Sequence, residues 1–237
     1  MNYPKSLAIE TSTVCNLKCI MCTHSAVNFG RPKIFLPNDI IDKLIPYIEH
    51  AESLQLHGIG EPLLSPSFWK VLSHVSKDCW ATVNSNFVNV TTDQMENLAT
   101  SNLKNISVSI DSPNRDTYYI IRGADLDKVI ENIKKMISII KKTESKLFVV
   151  LNMTIMKENI DQINETLDLC KKLECFRVDT WPMNNWDSIE LDRDIRNFKF
   201  SYNDQKPASF KELYNSKIQE SVDYSKLINM NFTYNFI

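Results

Sequence analysis

The feature that most restricts how this chain can fold is an alternation. Six short strand-like runs, at residues 6–11, 53–57, 80–84, 105–110, 147–155 and 176–181, are separated by segments with helical periodicity. Asn38 is placed to cap a helix whose apolar positions are Ile40, Ile41, Leu44, Ile45 and Ile48, and residues 68–75 form a second. Thr91 and Gln94 have the spacing of a capping box for a third, ending near Ala99. Val129, Ile133, Met136, Ile137 and Ile140 mark another, and Ile160, Ile163, Leu167 and Cys170 share one side of the last. Strands joined by helices of this length imply right-handed crossovers and parallel pairing. The expectation is an α/β fold, a parallel sheet curled open or closed like part of a (β/α) barrel of six units, with the apolar run 147–155 buried on both faces.

No linker or low-complexity segment interrupts residues 1–185, which are expected to form one core domain, with residues 186–237 as a short C-terminal extension. In that extension residues 208–222 carry a helical pattern, and residues 230–236 alternate like a strand. An apolar pattern at the end of the chain fits packing under the barrel, pairing with a partner, or a truncated product. With 27 Lys and Arg against 29 Asp and Glu and no basic block, nothing forms the footprint that a nucleic acid requires. There is no secretory apolar stretch at the start and no apolar run of membrane-spanning length, so a cytoplasmic chain without a membrane partner is expected.

Six cysteines in 237 residues are too sparse for a disulfide scaffold, and their placement matters more than their number. Cys15, Cys19 and Cys22 fall within eight residues, in the loop after the first strand. Thiolates are soft ligands for zinc or iron-sulfur clusters, and this spacing lets three converge on one centre. A Cys3His zinc site completed by His24 is one alternative, although His24 follows Cys22 more closely than finger spacings do. A thioredoxin-like pair of Cys19 and Cys22 is another, but it leaves Cys15 unused. Cys79, Cys170 and Cys175 precede strands or share an apolar helix face, and read as small buried residues.

The stretch from Glu10 through Cys15, Cys19 and Met21 to Cys22 closely resembles the signature of the radical S-adenosylmethionine (radical SAM) superfamily. The resemblance covers about residues 5–185. It implies that Cys15, Cys19 and Cys22 hold three irons of a [4Fe-4S] cluster, and that the amino and carboxylate groups of SAM take the fourth. It further implies one-electron reductive cleavage of SAM to a 5′-deoxyadenosyl radical that abstracts a substrate hydrogen. An electron donor such as a flavodoxin or ferredoxin is implied as partner; the substrate is not. The cysteine-rich extension that many members carry after the core is absent from this sequence. A catalytically impaired remnant of a longer enzyme is a further alternative.

Five other places resemble the family's SAM contacts. Gly60-Glu61-Pro62, after the second strand, is similar to the Gly-Glu-Pro motif that holds the SAM amino group. Asn84, in Asn84-Ser85-Asn86, stands where a Thr-Asn-Gly motif often touches the ribose. Ser109 and Asp111 match a Ser-x-Asp element near the SAM carboxylate, and with Ser107 they project to one side of the fourth strand. Arg122 resembles the arginine that pairs with that carboxylate, a surface pair with Asp125 or Asp127 being the other reading. Met21 occupies the position whose backbone meets the adenine, while Asn152 and residues 181–183 lie where the family closes around the ligand.

Overall fold

The structure is a computed structural model that describes residues 3–26, 30–183 and 192–237. Two units divide the chain: Met1–Asn16 with Gly30–Val108 and Asn132–Val149, and Leu17–Phe29 with Ser109–Glu131 and Val150–Ile237.

In the first unit the chain runs through β1 (Ser6–Ala8), α1 (Asn38–His50), β2 (Ser53–Gln55), α2 (Pro66–Ser73), β3 (Trp80–Ser85) and α3 (Thr92–Thr100) into β4 (Leu103–Ser109). The pairs are parallel, and the register sets Leu54 beside Ala81, Gln55 beside Thr82, and Asn84 beside Ser107. Because side chains alternate, one face carries Leu54, Leu56, Ala81, Val83, Ile106 and Val108, all buried. The helices bury Ile41 and Ile48, Phe68 and Val71, and Met95 and Leu98. Each fully buried side chain of this size contributes about 1.5–3 kcal/mol. The opposite face carries Gln55, His57, Thr82, Asn84, Asn105 and Ser107, an unusual set for a strand interior.

Along the rest of the chain come α4 (Arg115–Arg122), α5 (Leu126–Thr143), β5 (Phe148–Ile155), α6 (Ile163–Lys172), β6 (Arg177–Pro182), β7 (Arg193–Ile195), β8 (Phe198–Phe200), α7 (Tyr202–Gln205), α8 (Lys211–Leu227) and β9 (Asn231–Thr233). In the second unit β6 pairs in parallel with β5 on one side and β9 on the other, while β7 and β8 form a separate antiparallel hairpin. Among the described residues the main sheet has seven strands in the order β1-β2-β3-β4-β5-β6-β9.

Each of the six expected strands forms, and the Thr91–Gln94 capping box is made in both directions. The alternating segment near residue 230 forms a strand, β9, and three features differ from expectation. Asn38 is not a cap: Pro37 takes the N-cap position without a side-chain bond, and Asn38 is already helical. Helix α4 carries two tyrosines and two isoleucines with modest intrinsic propensity, and its ends are what define it. Asn114 accepts from the N–H groups of Asp116 and Thr117, and Gly123 closes it in the left-handed conformation. The terminal strand β9 joins the main sheet, and the β7–β8 hairpin has no clear sequence signal, since its turn lacks glycine. The expected domain boundary at residues 185/186 lies outside the described residues.

Candidate functional site

In the first unit the segment after β1 is held by its own polar residues. The Thr13 hydroxyl donates to the Pro32 carbonyl at 2.7 Å and accepts from the Ile34 N–H at 2.8 Å, so the chain before Cys15 has little freedom. The glycine-containing loop after β2 docks on this segment. Ile59 N–H donates to Glu10 at 2.7 Å, a carboxylate also paired with Arg31, and Glu61 N–H donates to the Val14 carbonyl at 2.8 Å. Gly60 permits that approach, because a Cβ there would strike the Ser12 carbonyl and lie 2.8 Å from the Val14 oxygen.

The Glu61 carboxylate is buried and accepts the Ser85 hydroxyl at 2.7 Å, Asn86 N–H at 2.7 Å and Leu63 N–H at 3.1 Å. Pro62 opens a short 3-10 turn, Pro62–Leu64, that Glu61 caps. Asn86 in turn donates its side-chain amide to Asn16 at 2.8 Å and reaches 4.0 Å from the Cys15 sulfur. Glu61 therefore organises the loop beside Cys15. Asn84 is half-buried on the polar face of β3. His57, on the same face of the sheet, has a buried Nδ1 without a hydrogen-bond partner among the described residues, and burial lowers its pKa.

The second unit holds Cys19, which is buried, and Cys22, which is half-buried. Cys22 N–H closes a turn on the Cys19 carbonyl at 3.2 Å, and Ile20 N–H donates to Ile121 at 2.9 Å. Arg122, in the last turn of α4, is bonded through Nε to the Asp111 carboxylate and lies through Nη1 at 3.7 Å from the Cys19 sulfur. Asp111 is wholly buried, and its second oxygen accepts Thr154 N–H at 2.8 Å. Asn159 donates to the Asp111 carbonyl at 2.8 Å.

Burial disfavours the Arg122 cation, but the Asp111 carboxylate and the Cys19 sulfur outweigh it and raise its pKa. Burial pushes the Cys19 thiol up, with Arg122 opposing, and pushes Cys22 up, against the backbone N–H of His24 and the charges of Arg122 and Arg193. Ser109 and Met21 are buried, and the Ser109 carbonyl faces the Tyr118 hydroxyl at 3.5 Å.

The structure thus groups Gly60, Glu61 and Pro62 with Ser85, Asn86 and Cys15, and groups Asp111 and Arg122 with Cys19. Arg122 does not take Asp125 or Asp127: Asp127 pairs with Arg115 at 2.7 Å, and the Asp125 side chain accepts Asp127 N–H at the head of α5. Ser85 and Asn86, read only as polar neighbours of Asn84, bond Glu61, and Asn16 bonds Asn86, while Asn159 and two arginines on the β7–β8 hairpin are the residues that motif reading passed over. Cys79, Cys170 and Cys175 are all buried. Among the described residues no three of His, Cys, Asp and Glu form a preassembled metal cage. The donor set itself fits an iron-sulfur cluster, being three thiols outside any disulfide within eight residues.

A family model described as the radical SAM superfamily matches residues 9–170. The chain belongs to the radical SAM superfamily. A GTP 3′,8-cyclase of Clostridium botulinum (strain Hall) is 29% identical over 185 residues, covering 73% of this chain and 53% of the relative. An AdoMet-dependent heme synthase of Methanosarcina barkeri is 25% identical over 176 residues, covering 73% and 48%. Among solved structures, Streptococcus suis SuiB bound to S-adenosylmethionine superposes with a TM-score of 0.73 at 18% identity over 98% of this chain and 50% of that one. The enzyme anSMEcpe with bound AdoMet gives 0.67 at 16% identity over 97% and 63%. These neighbours establish the fold, the parallel α/β architecture of a partial barrel. The radical SAM chain spans about half the length of the curated relatives it matches. No helix among its described residues is long and apolar enough to cross a membrane.

Proposed function

We propose that this chain is the catalytic core of a radical SAM enzyme, with Cys15, Cys19 and Cys22 as ligands of a [4Fe-4S] cluster and with SAM as co-substrate. The observation that carries this reading is the three-thiol segment following β1, in a chain whose residues 9–170 match the family. Three ligands rather than four leave one iron open to SAM. When bound, the cluster supplies one electron to SAM, whose cleavage provides the 5′-deoxyadenosyl radical that takes a hydrogen from the substrate.

The chain's own residues bind and orient. Gly60 lets the backbone come close to the SAM amino group, and Glu61 keeps that loop in shape through Ser85 and Asn86. Arg122 commits two of its five N–H donors to Asp111 and Cys19, and its remaining donors are assigned to the SAM carboxylate. Ser109, Asn84 and Met21 are assigned to the carboxylate, ribose and adenine surroundings. In this proposal residues 1–185 form the core and residues 186–237 the extension, the protein works in the cytoplasm, and a flavodoxin or ferredoxin supplies the electron.

The test is anaerobic iron-sulfur reconstitution followed by a SAM-cleavage assay. Close to four irons per chain and formation of 5′-deoxyadenosine are expected, both lost in the Cys15→Ala, Cys19→Ala and Cys22→Ala variants. A colourless protein with stoichiometric zinc would overturn the proposal in favour of a Cys3His site. A cluster without 5′-deoxyadenosine would identify an impaired remnant.

A further inference from the structure

The β7–β8 hairpin lies beyond the residues that the family model matches, yet two of its arginines end on the cysteine segment. Arg193 donates from Nη2 to the Cys22 carbonyl at 2.7 Å and from Nη1 to the Cys19 carbonyl at 3.1 Å. Arg196 donates from Nε to the Ile120 carbonyl at 2.9 Å, and its two Nη groups each reach the Lys18 carbonyl at 3.2 Å. Nη2 is also 3.3 Å from the Ile121 carbonyl. All of these acceptors are backbone oxygens. Ile120 and Ile121 belong to the last turn of α4, where carbonyls lack helical partners and a cation is favoured.

The hairpin is built to deliver these groups. Arg196 and Asn197 have φ of 55° and 58°, the left-handed pair that a two-residue hairpin loop of type I′ requires. Asparagine tolerates this region, whereas an arginine there is strained. The guanidinium bonds offset that strain. Gly123 completes the fit, since a Cβ on it would lie 2.6 Å from Arg196 Nη1, and Gly123 itself has φ of 68°.

We propose that the β7–β8 hairpin is a staple for the cluster loop, in which Arg193 is the positioning residue that fixes the backbone of Cys19 and Cys22 before metal arrives. The inference rests on the assignment of these two cysteines as ligands. A guanidinium suits this role because its planar fork spans two carbonyls at once, which an ammonium cannot do in one fixed geometry. With the bonds made, the backbone carbonyls of residues 19 and 22 are held by one guanidinium, and iron meets a loop whose backbone is already restrained.

Hydrogen exchange on the metal-free full chain tests the staple directly. Arg193→Gln is expected to speed exchange in the segment 18–22 by about tenfold, because charge-assisted bonds to carbonyls are lost, while α6 and α8 keep their protection. Arg193→Lys, which keeps the charge, is expected to restore part of it. In the reconstituted chain, Arg193→Gln is expected to release iron to bathophenanthroline about tenfold faster, consistent with a looser ligand loop. Unchanged exchange in 18–22, or a loss of protection spread evenly over the whole unit, overturns the proposal. Should Arg193→Gln lose its far-ultraviolet dichroism, Arg193→Lys is read instead, and wild-type exchange in that variant overturns it equally. A wild-type chain that takes up no iron would defeat the catalytic reading and leave the exchange measurement standing on its own.

Discussion

Replacing Asp111 by asparagine isolates one charge in the interior. Asp111 has no exposed side-chain surface and its partner Arg122 has 12%, so this pair is shielded from water. The amide oxygen of asparagine can still accept Thr154 N–H, so the change removes the negative charge and little else. Leaving the guanidinium buried without its counter-charge costs about 3–5 kcal/mol, a large part of a typical folding stability of about 5–15 kcal/mol. If the pair behaved as a surface ion pair, the loss would be about 0–1 kcal/mol. The two cases are well separated in urea unfolding followed by circular dichroism, with the slope checked for constancy. The companion variant Arg122→Met, alone and combined with Asp111→Asn, completes the cycle. The double variant is expected to recover most of the loss, because no unpaired charge remains. A loss below about 1 kcal/mol in Asp111→Asn would refute the claim that this pair is energetically buried.

Three further outcomes are expected. Gly60→Ala drives a methyl into the Ser12 and Val14 carbonyls, and overpacking of this kind costs about 1–3 kcal/mol, read as a lower Tm. Alanine at Cys79, Cys170 or Cys175 should leave iron uptake unchanged, since these thiols are buried in the core; a drop in iron per chain would contradict that placement. Burial lowers the His57 pKa below its usual 6.5, so the folded state binds fewer protons than the unfolded state just below that value. Its contribution is therefore fully present above about pH 6.5 and lost as pH falls through the lowered folded value, and His57→Gln should flatten urea-midpoint profiles between about pH 7 and 5.

The parts of this fold that could be read from sequence are those fixed by neighbours in the chain. The strands β1 to β6 and their helices follow from apolar spacing, and the Thr91 capping box is a contact between residues three apart. Helix α4 escaped because it is only eight residues long, its buried face is the single pair Tyr118 and Ile121, and its limits are set by Asn114 and Gly123 at its ends. The hairpin escaped because a type I′ turn made of Arg196 and Asn197 carries no glycine. Candidate residues such as Glu61 and Arg122 could be named from local motifs, yet their partners could not. Arg122 passes over Asp125 and Asp127 for Asp111, because α4 turns its last residue back toward the end of β4.

The sequence by itself determined the alternating α/β architecture and the three-thiol segment, since periodicity and ligand spacing are local quantities. Only the tertiary structure decided what surrounds those thiols. Arg193 stands 171 positions from Cys22, and the Glu61 loop is tied by residues 24 and 25 positions further on. No periodicity records such distances. A buried charge or an unpaired backbone carbonyl must find its partner in space, and the folded chain supplies that partner from wherever packing brings it.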